Sequence, residues 1–145
     1  MPKGKLKHRD AELTLKLYDL RRETVMRASR NIISGKFWPK TFAEVEELLK
    51  PEHEYNAAYR QVATYWEMVY SFARNDIIDP DFLAENNGEG LLFLAKIYPF
   101  LDQLRERHSP LAFRNAEWLL NNSEEARRRF DLMRARVERM LSEKK

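Results

Sequence analysis

The chain has 145 residues, no cysteine and a net charge of +3, with 34% charged and 43% apolar residues. Its length suits one domain with its own core, and the lack of cysteine excludes disulfides, thiolate nucleophiles and cysteine-ligated zinc. The basic first residues lead into no apolar signal region, and the most apolar run, 91–101, is shorter than the roughly 20 residues that span a bilayer. We therefore expect a soluble, cytoplasmic, single helical domain over 1–145, with a flexible basic N-terminus at 1–9 and a frayed C-terminus at 143–145.

The first predicted helix covers 10–34, where apolar residues recur along one side. Gly35 is expected to end it in the left-handed conformation. Phe37 and Trp38 follow and precede a proline, so the sequence predicts an extended backbone for them. These two aromatic residues either form an exposed interaction surface or plug the end of a helical bundle. The inner side of the first helix is predicted to comprise Leu13, Leu17, Leu20, Val25, Ala28 and Ile32.

A capping box of Thr41 and Glu44 predicts a short helix that ends at about Lys50. Pro51 breaks that helix and can occupy the first turn of the next one. The sequence thus places a short helix directly before the longest aromatic stretch of the chain.

The next helix contains the stretch 55–74, in which apolar and aromatic side chains cover about half of the circumference. We predict that this helix ends near Asn75 and forms the buried centre of the fold, packed by other helices on two or three sides. Its opposite side is a narrow polar line from His53 to Arg74, and Glu67 belongs to this line.

Asp79 followed by a proline is typical of a helix start and predicts a short helix through Glu85. The segment 89–108 is apolar nearly all round, so it is predicted to be the second most buried element. Pro99 lies inside this segment and is expected to kink it or to split it into two helices.

Ser109 followed by a proline repeats the same start signal and predicts a helix to about Leu120. The final helix is predicted over 124–142, where apolar residues recur at alternating spacings of three and four, as in coiled coils. No segment has the alternation of a strand. The predicted fold is all-α, a single-domain helical bundle of about four long helices and two or three short ones.

The sequence contains no pattern typical of an active site or a metal centre. The three histidines are isolated, without the helical spacing that places two ligands together. Asp76, Asp79 and Asp81 alternate like calcium-loop ligands, but Asp81 occupies the glycine position and Asn87 occupies the position of the final glutamate. Phosphate-binding glycine loops are also lacking. We therefore predict no catalytic residue, no metal site and no cofactor.

Glu67 has two alternative roles. The polar line to which it belongs either faces water, or another helix covers the line and an arginine pairs with Glu67, because a buried carboxylate requires a partner.

Basic residues are concentrated at both ends of the chain. Residues 1–30 carry nine basic and four acidic side chains, residues 123–145 carry eight and five, and residues 31–122 carry nine and fourteen. Either the terminal helices lie against the acidic middle, or they form a basic surface for nucleic acid or anionic lipid. The last-helix arginines spread around its outside, which favours a solvated exterior over DNA recognition. The candidate interaction surface comprises Phe37, Trp38, Arg127, Arg128 and Arg134.

Four short motifs occur in order within residues 60–120: an aromatic–Glu step, an Ile–Asp turn, a proline–aliphatic–arginine helix and an aromatic–x–x–x–Glu helix. They are carried by Trp66-Glu67, Ile78-Asp79 with Phe82, Pro99-Phe100-Leu101 with Arg105, and Phe113 with Glu117-Trp118-Leu119. In this order they resemble a family of bacterial helical domains of unknown function. Members of that family often carry an N-terminal membrane helix, whereas this chain has a charged first helix. The family brings no established activity or ligand.

The resemblance implies that Glu67, Arg105 and Glu117 meet across the bundle as a structural ion pair, with Arg105 as the partner of Glu67. Replacement of Glu67 by alanine would then cost about 3 kcal/mol or more, because the arginine would be left unpaired.

We interpret the chain as a non-enzymatic helical interaction or regulatory module that binds a protein partner or self-associates as a homodimer through its first or last helix. One alternative is a nucleic-acid-associated protein that uses the basic terminal helices, although no recognition motif supports it. Another is an enzyme with an aromatic-lined pocket formed by Tyr59, Tyr70, Glu67 and Arg105.

Overall fold

The computed structural model describes residues 6–143, and every regular element in that range is helical. The prediction of an all-α fold is therefore confirmed. The expectations for residues 1–5 and 144–145, the outer parts of the two predicted flexible ends, lie outside the described residues. The helices are α1 (His8–Arg22), α2 (Thr24–Lys36), α3 (Phe42–Leu49), α4 (Asn56–Arg74), α5 (Pro80–Asn86), α6 (Glu89–Ile97), α7 (Leu101–Arg107), α8 (Arg114–Asn122) and α9 (Glu124–Glu143), with a 3₁₀ turn at Tyr98–Phe100.

The central helix of the bundle is α4, as the sequence predicts. It packs against α2, α3, α5 and α8, and buried side chains occur along its whole length. Aromatic rings continue this packing, since Trp66 stacks on Tyr70 and Tyr59 meets Phe93 of α6 edge-on. Because these rings remove a large apolar area from water, they supply much of the hydrophobic stabilisation of the core.

Three helix boundaries agree with their sequence signals. The Thr41 hydroxyl accepts a hydrogen bond from the N–H of Glu44 and caps α3. The Asp79 carboxylate accepts one from the N–H of Phe82 at 2.8 Å and caps α5. Pro99 lies in the 3₁₀ turn that separates α6 from α7, so of the two predicted alternatives, a kink or a split, the split is correct. These signals are local, and a proline or a capping side chain acts whatever the tertiary context.

The buried element that follows, α6, packs against α8 and α9. All its residues except Glu89 and Leu92 are buried, in agreement with its apolar composition. A side chain at Gly90 would collide with Tyr70 and Trp66, so this glycine permits the close approach of α6 to α4. No helix between residues 6 and 143 has the length and apolar composition needed to span a membrane.

The single long helix predicted over 10–34 is wrong, because the structure divides it into α1 and α2. Glu23 interrupts it with an extended backbone conformation (φ −57°, ψ 142°). The carboxylate of Glu23 accepts a hydrogen bond from the N–H of Met26 at 2.8 Å and caps α2. In addition, α1 begins at His8 and α9 continues to Glu143, so these parts of the predicted flexible ends are helical.

The break at Glu23 changes which side of α2 faces the core. Met26, Ser29 and Ile33 are buried, although the sequence pattern placed other residues on the inner side. A periodicity followed across a break assigns the wrong side, because the two helices are oriented independently. The exposed residues of the predicted inner side are Leu20, Val25 and Ala28.

The predicted left-handed stop at Gly35 is also wrong. The helix α2 continues to Lys36, and no glycine among residues 6–143 has a positive φ. The ammonium of Lys96 instead donates hydrogen bonds to the carbonyls of Ile33 and Ser34, at 3.0 and 3.1 Å. Carbonyls in the last turn have no partner within their own helix, so a side chain of α6 completes the end of α2.

The central helix begins later than predicted. Residues 51–55 form consecutive turns, and Asn56 is the first helical residue. The buried side chain of Asn56 donates a hydrogen bond to the carbonyl of Leu48 at 2.9 Å. This bond fixes the connection between α3 and α4 and leaves Pro51 outside both helices.

The predicted start of the eighth helix at Ser109 is wrong, since α8 begins at Arg114. The Ser109 carbonyl accepts a hydrogen bond from the N–H of Ala112, within a turn. Phe113 then adopts a left-handed conformation (φ 58°, ψ 22°) directly before α8. A right-handed helix cannot continue through such a residue, so the proline signal at this place does not open a helix.

Candidate functional site

Glu67 lies where α4 meets the start of α8. Its two carboxylate oxygens accept hydrogen bonds from the backbone N–H groups of Asn115 and Ala116, both at 2.9 Å. These N–H groups belong to the first turn of α8 and have no partner within that helix. The residue before α8 is Phe113, which offers no capping side chain. Glu67 therefore supplies, from another helix, the cap that the sequence around α8 lacks.

The side chain of Asn115 strengthens the same junction. Its amide nitrogen donates a hydrogen bond to the backbone carbonyl of Glu67 at 3.1 Å, and its amide oxygen accepts one from the Arg74 guanidinium at 2.6 Å. Of the two alternatives for the polar line of α4, coverage by another helix is therefore correct at Glu67 and Arg74. The covering element is α8.

Arg105 is not the partner of Glu67, and this part of the predicted ion pair is wrong. The guanidinium of Arg105 pairs with Glu117 at 3.0 Å and donates a second hydrogen bond to the carbonyl of Ala112 at 3.0 Å. Its remaining nitrogen is buried without a hydrogen-bond partner. Glu67 forms no ion pair with any residue that the structure describes, and its two oxygens accept hydrogen bonds from backbone N–H groups instead.

The electrostatics of Glu67 follow from its position. Burial raises the pKa of Glu67 above its usual value. The two backbone hydrogen bonds lower this pKa in part, and so do the charges of Arg105 and Arg114. The carboxylate is thus held by donors of the protein itself, in an arrangement that joins helices.

The four residues of the enzyme alternative do not converge on one cavity. Tyr70 is fully buried and donates a hydrogen bond to the carbonyl of Asn87 at 2.7 Å. The ring of Tyr59 packs among aromatic rings of the core, and burial raises the pKa of both tyrosines. Glu67 and Arg105 instead make their hydrogen bonds at the start of α8. The two tyrosines therefore lie in the core, whereas Glu67 and Arg105 lie beside the start of α8.

The histidines lie apart, as their spacing indicates. His108 contacts Glu46 at 2.7 Å, His8 lies 3.8 Å from Glu12, and His53 lies between α3 and α4. Among residues 6–143, no group of three or more histidine, aspartate or glutamate side chains has a geometry that could hold a metal ion.

The arginines of the candidate interaction surface differ in their surroundings. Arg134 donates a hydrogen bond to the carbonyl of Ala95 at 2.7 Å and so ties α9 to the end of α6. Arg127 and Arg128 are exposed, and Arg128 pairs with Glu125 of the same helix. The use of these arginines for binding nucleic acid stays a prediction.

Phe37 is not available for an exposed interaction surface, because only 6% of it is accessible and its ring packs against Tyr59 and Phe93. It belongs to the plug of the bundle, the other alternative for this connector. Trp38 is half-buried. The Lys96 ammonium lies over its indole ring, 3.8 Å from the ring centroid, in a cation–π contact.

An open cleft lies between the end of α2, the connector with Trp38, α3 and the turns before α4. We call it the α2–α3 cleft. Sequence reasoning identified Phe37 and Trp38 but missed His53 and Tyr55, because it placed them in a central helix that starts at Pro51. The available sequence signal was the occurrence of ring side chains close to Pro39 and Pro51, namely Phe37, Trp38, His53 and Tyr55. The lining residues are Ile32, Ile33, Lys36, Phe37, Trp38, Pro39, Glu44, Leu48, His53 and Tyr55.

Large apolar side chains are exposed along α1 and the first turn of α2. Leu15 is 68% exposed, Tyr18 and Leu20 are about half exposed, and Val25 is 58% exposed. Leu132 of α9 is similarly exposed at 69%, but it stands alone on the outside of its helix. Single exposed apolar residues are common, whereas a series along one segment is typical of a contact surface.

Comparison with known proteins places the chain in a family. The model of a domain of unknown function, DUF4760, matches residues 7–123, a range that contains α1 to α8. No curated protein and no solved structure matches the sequence. The expected resemblance to a helical family of unknown function is confirmed. The chain belongs to the DUF4760 family.

Proposed function

We propose that this chain is a non-enzymatic interaction or regulatory module that holds a ligand in the α2–α3 cleft without transforming it. The observation that carries this proposal is the cleft itself. Apolar and ring side chains line it together with a few polar groups, a lining that is typical of small-molecule sites. The apolar side chains come from α2 and α3, and the ring side chains come from the connector and from residues 53–55.

The walls of the cleft are fixed before any ligand binds. Phe37 is anchored among core rings, and the cation–π contact with Lys96 holds Trp38. On the other side, the hydrogen bond from the Asn56 side chain to the Leu48 carbonyl fixes the turns that carry His53 and Tyr55. A preformed site loses little side-chain entropy on binding, which favours affinity for a small molecule.

Binding of anilinonaphthalene sulfonate, followed by fluorescence and by two-dimensional NMR, tests this proposal. We expect one saturable site, with shifts of the Trp38 indole N–H signal. Ile32→Trp places a large ring in the cleft and should abolish binding. Val25→Trp makes the same change two turns earlier in α2, at an exposed position outside the cleft, and should leave binding intact. Unsaturable binding, or equal affinity of the two variants, would refute the cleft as the site.

Self-association is a second candidate function, favoured by the exposed apolar side chains of α1 and α2. In this proposal a second copy of the chain covers Leu15, Tyr18 and Val25, which would remove apolar area from water. Light scattering at micromolar concentration should give the mass of a dimer, and Leu15→Glu should reduce it to that of one chain. Leu132→Glu on α9 is the matched control and should remain dimeric. A wild-type mass equal to one chain would end this proposal.

A further inference from the structure

The two charged side chains that line the α2–α3 cleft, Lys36 and Glu44, differ in their contacts with the protein. Lys36, the last residue of α2, lines the cleft and makes no ion pair with any residue in the range 6–143. Glu44 is the carboxylate at the cleft, and one of its oxygens accepts a hydrogen bond from the backbone N–H of Lys40 at 2.6 Å. The cleft thus offers an unpaired cation, whereas its anion is already held by the protein.

His53 adds a hydrogen-bond donor of fixed position. Its Nδ1 accepts a hydrogen bond from the backbone N–H of Tyr55 at 3.0 Å, so the ring proton of neutral His53 resides on Nε2. This Nε2–H has no hydrogen-bond partner among the described residues. A lining group that can only donate at its free position favours a ligand with an acceptor, such as a carboxylate oxygen.

The surroundings of Trp38 disfavour a cationic ligand. The ammonium of Lys96, which is only 2% exposed, already lies over the indole ring. A second cation on this aromatic wall would be repelled by the Lys96 ammonium. An uncharged or anionic aromatic ring meets no such penalty and can pack against the rings and aliphatic side chains of the cleft.

From these three observations we infer that the α2–α3 cleft binds a small aromatic molecule that carries one anionic group, with an aromatic carboxylate as the simplest case. The aromatic ring of the ligand packs against Trp38 and the apolar side chains that line the cleft. Its carboxylate is recognised by Lys36 and the Nε2–H of His53. This inference rests on the proposed function of the cleft and specifies the chemistry of its ligand.

Calorimetric titration with three probes of equal ring size tests the charge selection: naphthoate, naphthalenemethanol and naphthylmethylammonium. We expect naphthoate to bind at least about threefold more tightly than the neutral alcohol, and the cation to bind most weakly. Lys36→Glu should abolish the preference for naphthoate, and Glu44→Gln should increase it. Lys16→Glu, an equal charge reversal on the exposed face of α1, is the matched control and should change nothing.

The outcomes separate this inference from the proposed function. If no probe binds, the cleft is not a ligand site and both ideas fail. If all three bind equally, or if the cation binds most tightly, the cleft is a site but the anionic ligand is wrong. If a short acidic peptide with a tryptophan binds more tightly than naphthoate, the occupant is a protein segment, and the small-molecule inference is overturned.

Discussion

Glu67 shows how one side chain can replace a missing local signal. The sequence before α8 provides Phe113 where a helix prefers serine, threonine, aspartate or asparagine. The carboxylate of Glu67 accepts hydrogen bonds from two N–H groups of the first turn, the kind of group to which such a capping residue would bind. The buried aromatic ring of Phe113 and the cap can therefore coexist at the same place, because they come from different helices.

Glu67→Ala should lower the free energy of unfolding by about 1–2 kcal/mol, the usual contribution of a helix cap. This is less than the loss expected from a stranded arginine, because Arg105 keeps its pair with Glu117. Urea denaturation followed by circular dichroism measures the change. Glu106→Ala, at an exposed glutamate of α7, is the control. Equal stability of the two variants would show that the cap contributes nothing.

The raised pKa of Glu67 predicts a pH dependence of stability. A carboxyl group that keeps its proton longer in the folded state stabilises the protein at low pH, and this contribution is lost as pH rises through the folded-state pKa. The stability of the wild type relative to Glu67→Gln should therefore fall as the pH rises above 4.5, the usual pKa of a glutamate. Urea midpoints at several pH values test this trend, and a rise instead of a fall would mean that the hydrogen bonds outweigh burial.

Gly90 is the residue at which the contact between α4 and α6 tolerates no side chain. A Cβ atom there would lie 2.5 Å from the Tyr70 hydroxyl oxygen and 2.8 Å from a carbon of Trp66. Gly90→Ala should therefore destabilise the protein by about 1–3 kcal/mol despite the better helix propensity of alanine. Gly35→Ala has no atom within 4 Å of the new carbon and should stabilise α2 by about 0.5–1 kcal/mol. Thermal unfolding that ranks the two variants in the opposite order would refute this account.

At the scale of the helix, the ends of several elements are completed by side chains from elsewhere in the bundle. Lys96 binds the last carbonyls of α2, Glu67 caps α8, and Arg134 binds a carbonyl at the end of α6. At the start of α9, the Ser123 hydroxyl donates a hydrogen bond to Asp81 of α5. These charged contacts orient the helices relative to one another, a role that apolar packing alone fulfils less specifically.

The helices differ in how many of their residues are buried in the core. In α1 only Asp10 and Leu17 are buried, whereas eight residues of α4 are buried. Local opening costs least where few apolar contacts are lost, so the backbone amides of α1 should exchange with deuterium at least about tenfold faster than those in the middle of α4. Hydrogen-exchange NMR on the full chain measures both. Comparable protection of the two helices would indicate that α1 is covered, as a dimer contact would require.

At the scale of the whole molecule, one continuous cluster of buried side chains contains residues of each helix from α1 to α9. It joins Leu17 of α1 through Trp66 of α4 to Val137 of α9. A single core of this kind is expected to unfold in one cooperative step. Near- and far-ultraviolet circular dichroism should therefore give coincident urea transitions, and two separate transitions would show that the chain contains more than one unit.

Local chemistry made much of this fold predictable from sequence. The aromatic arc of the central helix, the cap at Asp79 and the interruption at Pro99 depend on residues within a few positions of one another. Hydrophobic periodicity, caps and prolines act over the same short range. The sequence by itself therefore determined the all-α class, the buried centre and most helix boundaries.

Only the tertiary structure decided the features that join distant parts of the chain. Glu67 and Asn115 are separated by 48 positions, and no rule of spacing identifies such a partner. The break at Glu23 and the left-handed conformation of Phe113 were also not predicted from the sequence. The α2–α3 cleft likewise exists only because Trp38 and Tyr55 approach each other when α2 and α3 pack on α4. Contacts between remote residues depend on the positions of whole helices, and these positions are set by the balance of all packing interactions together.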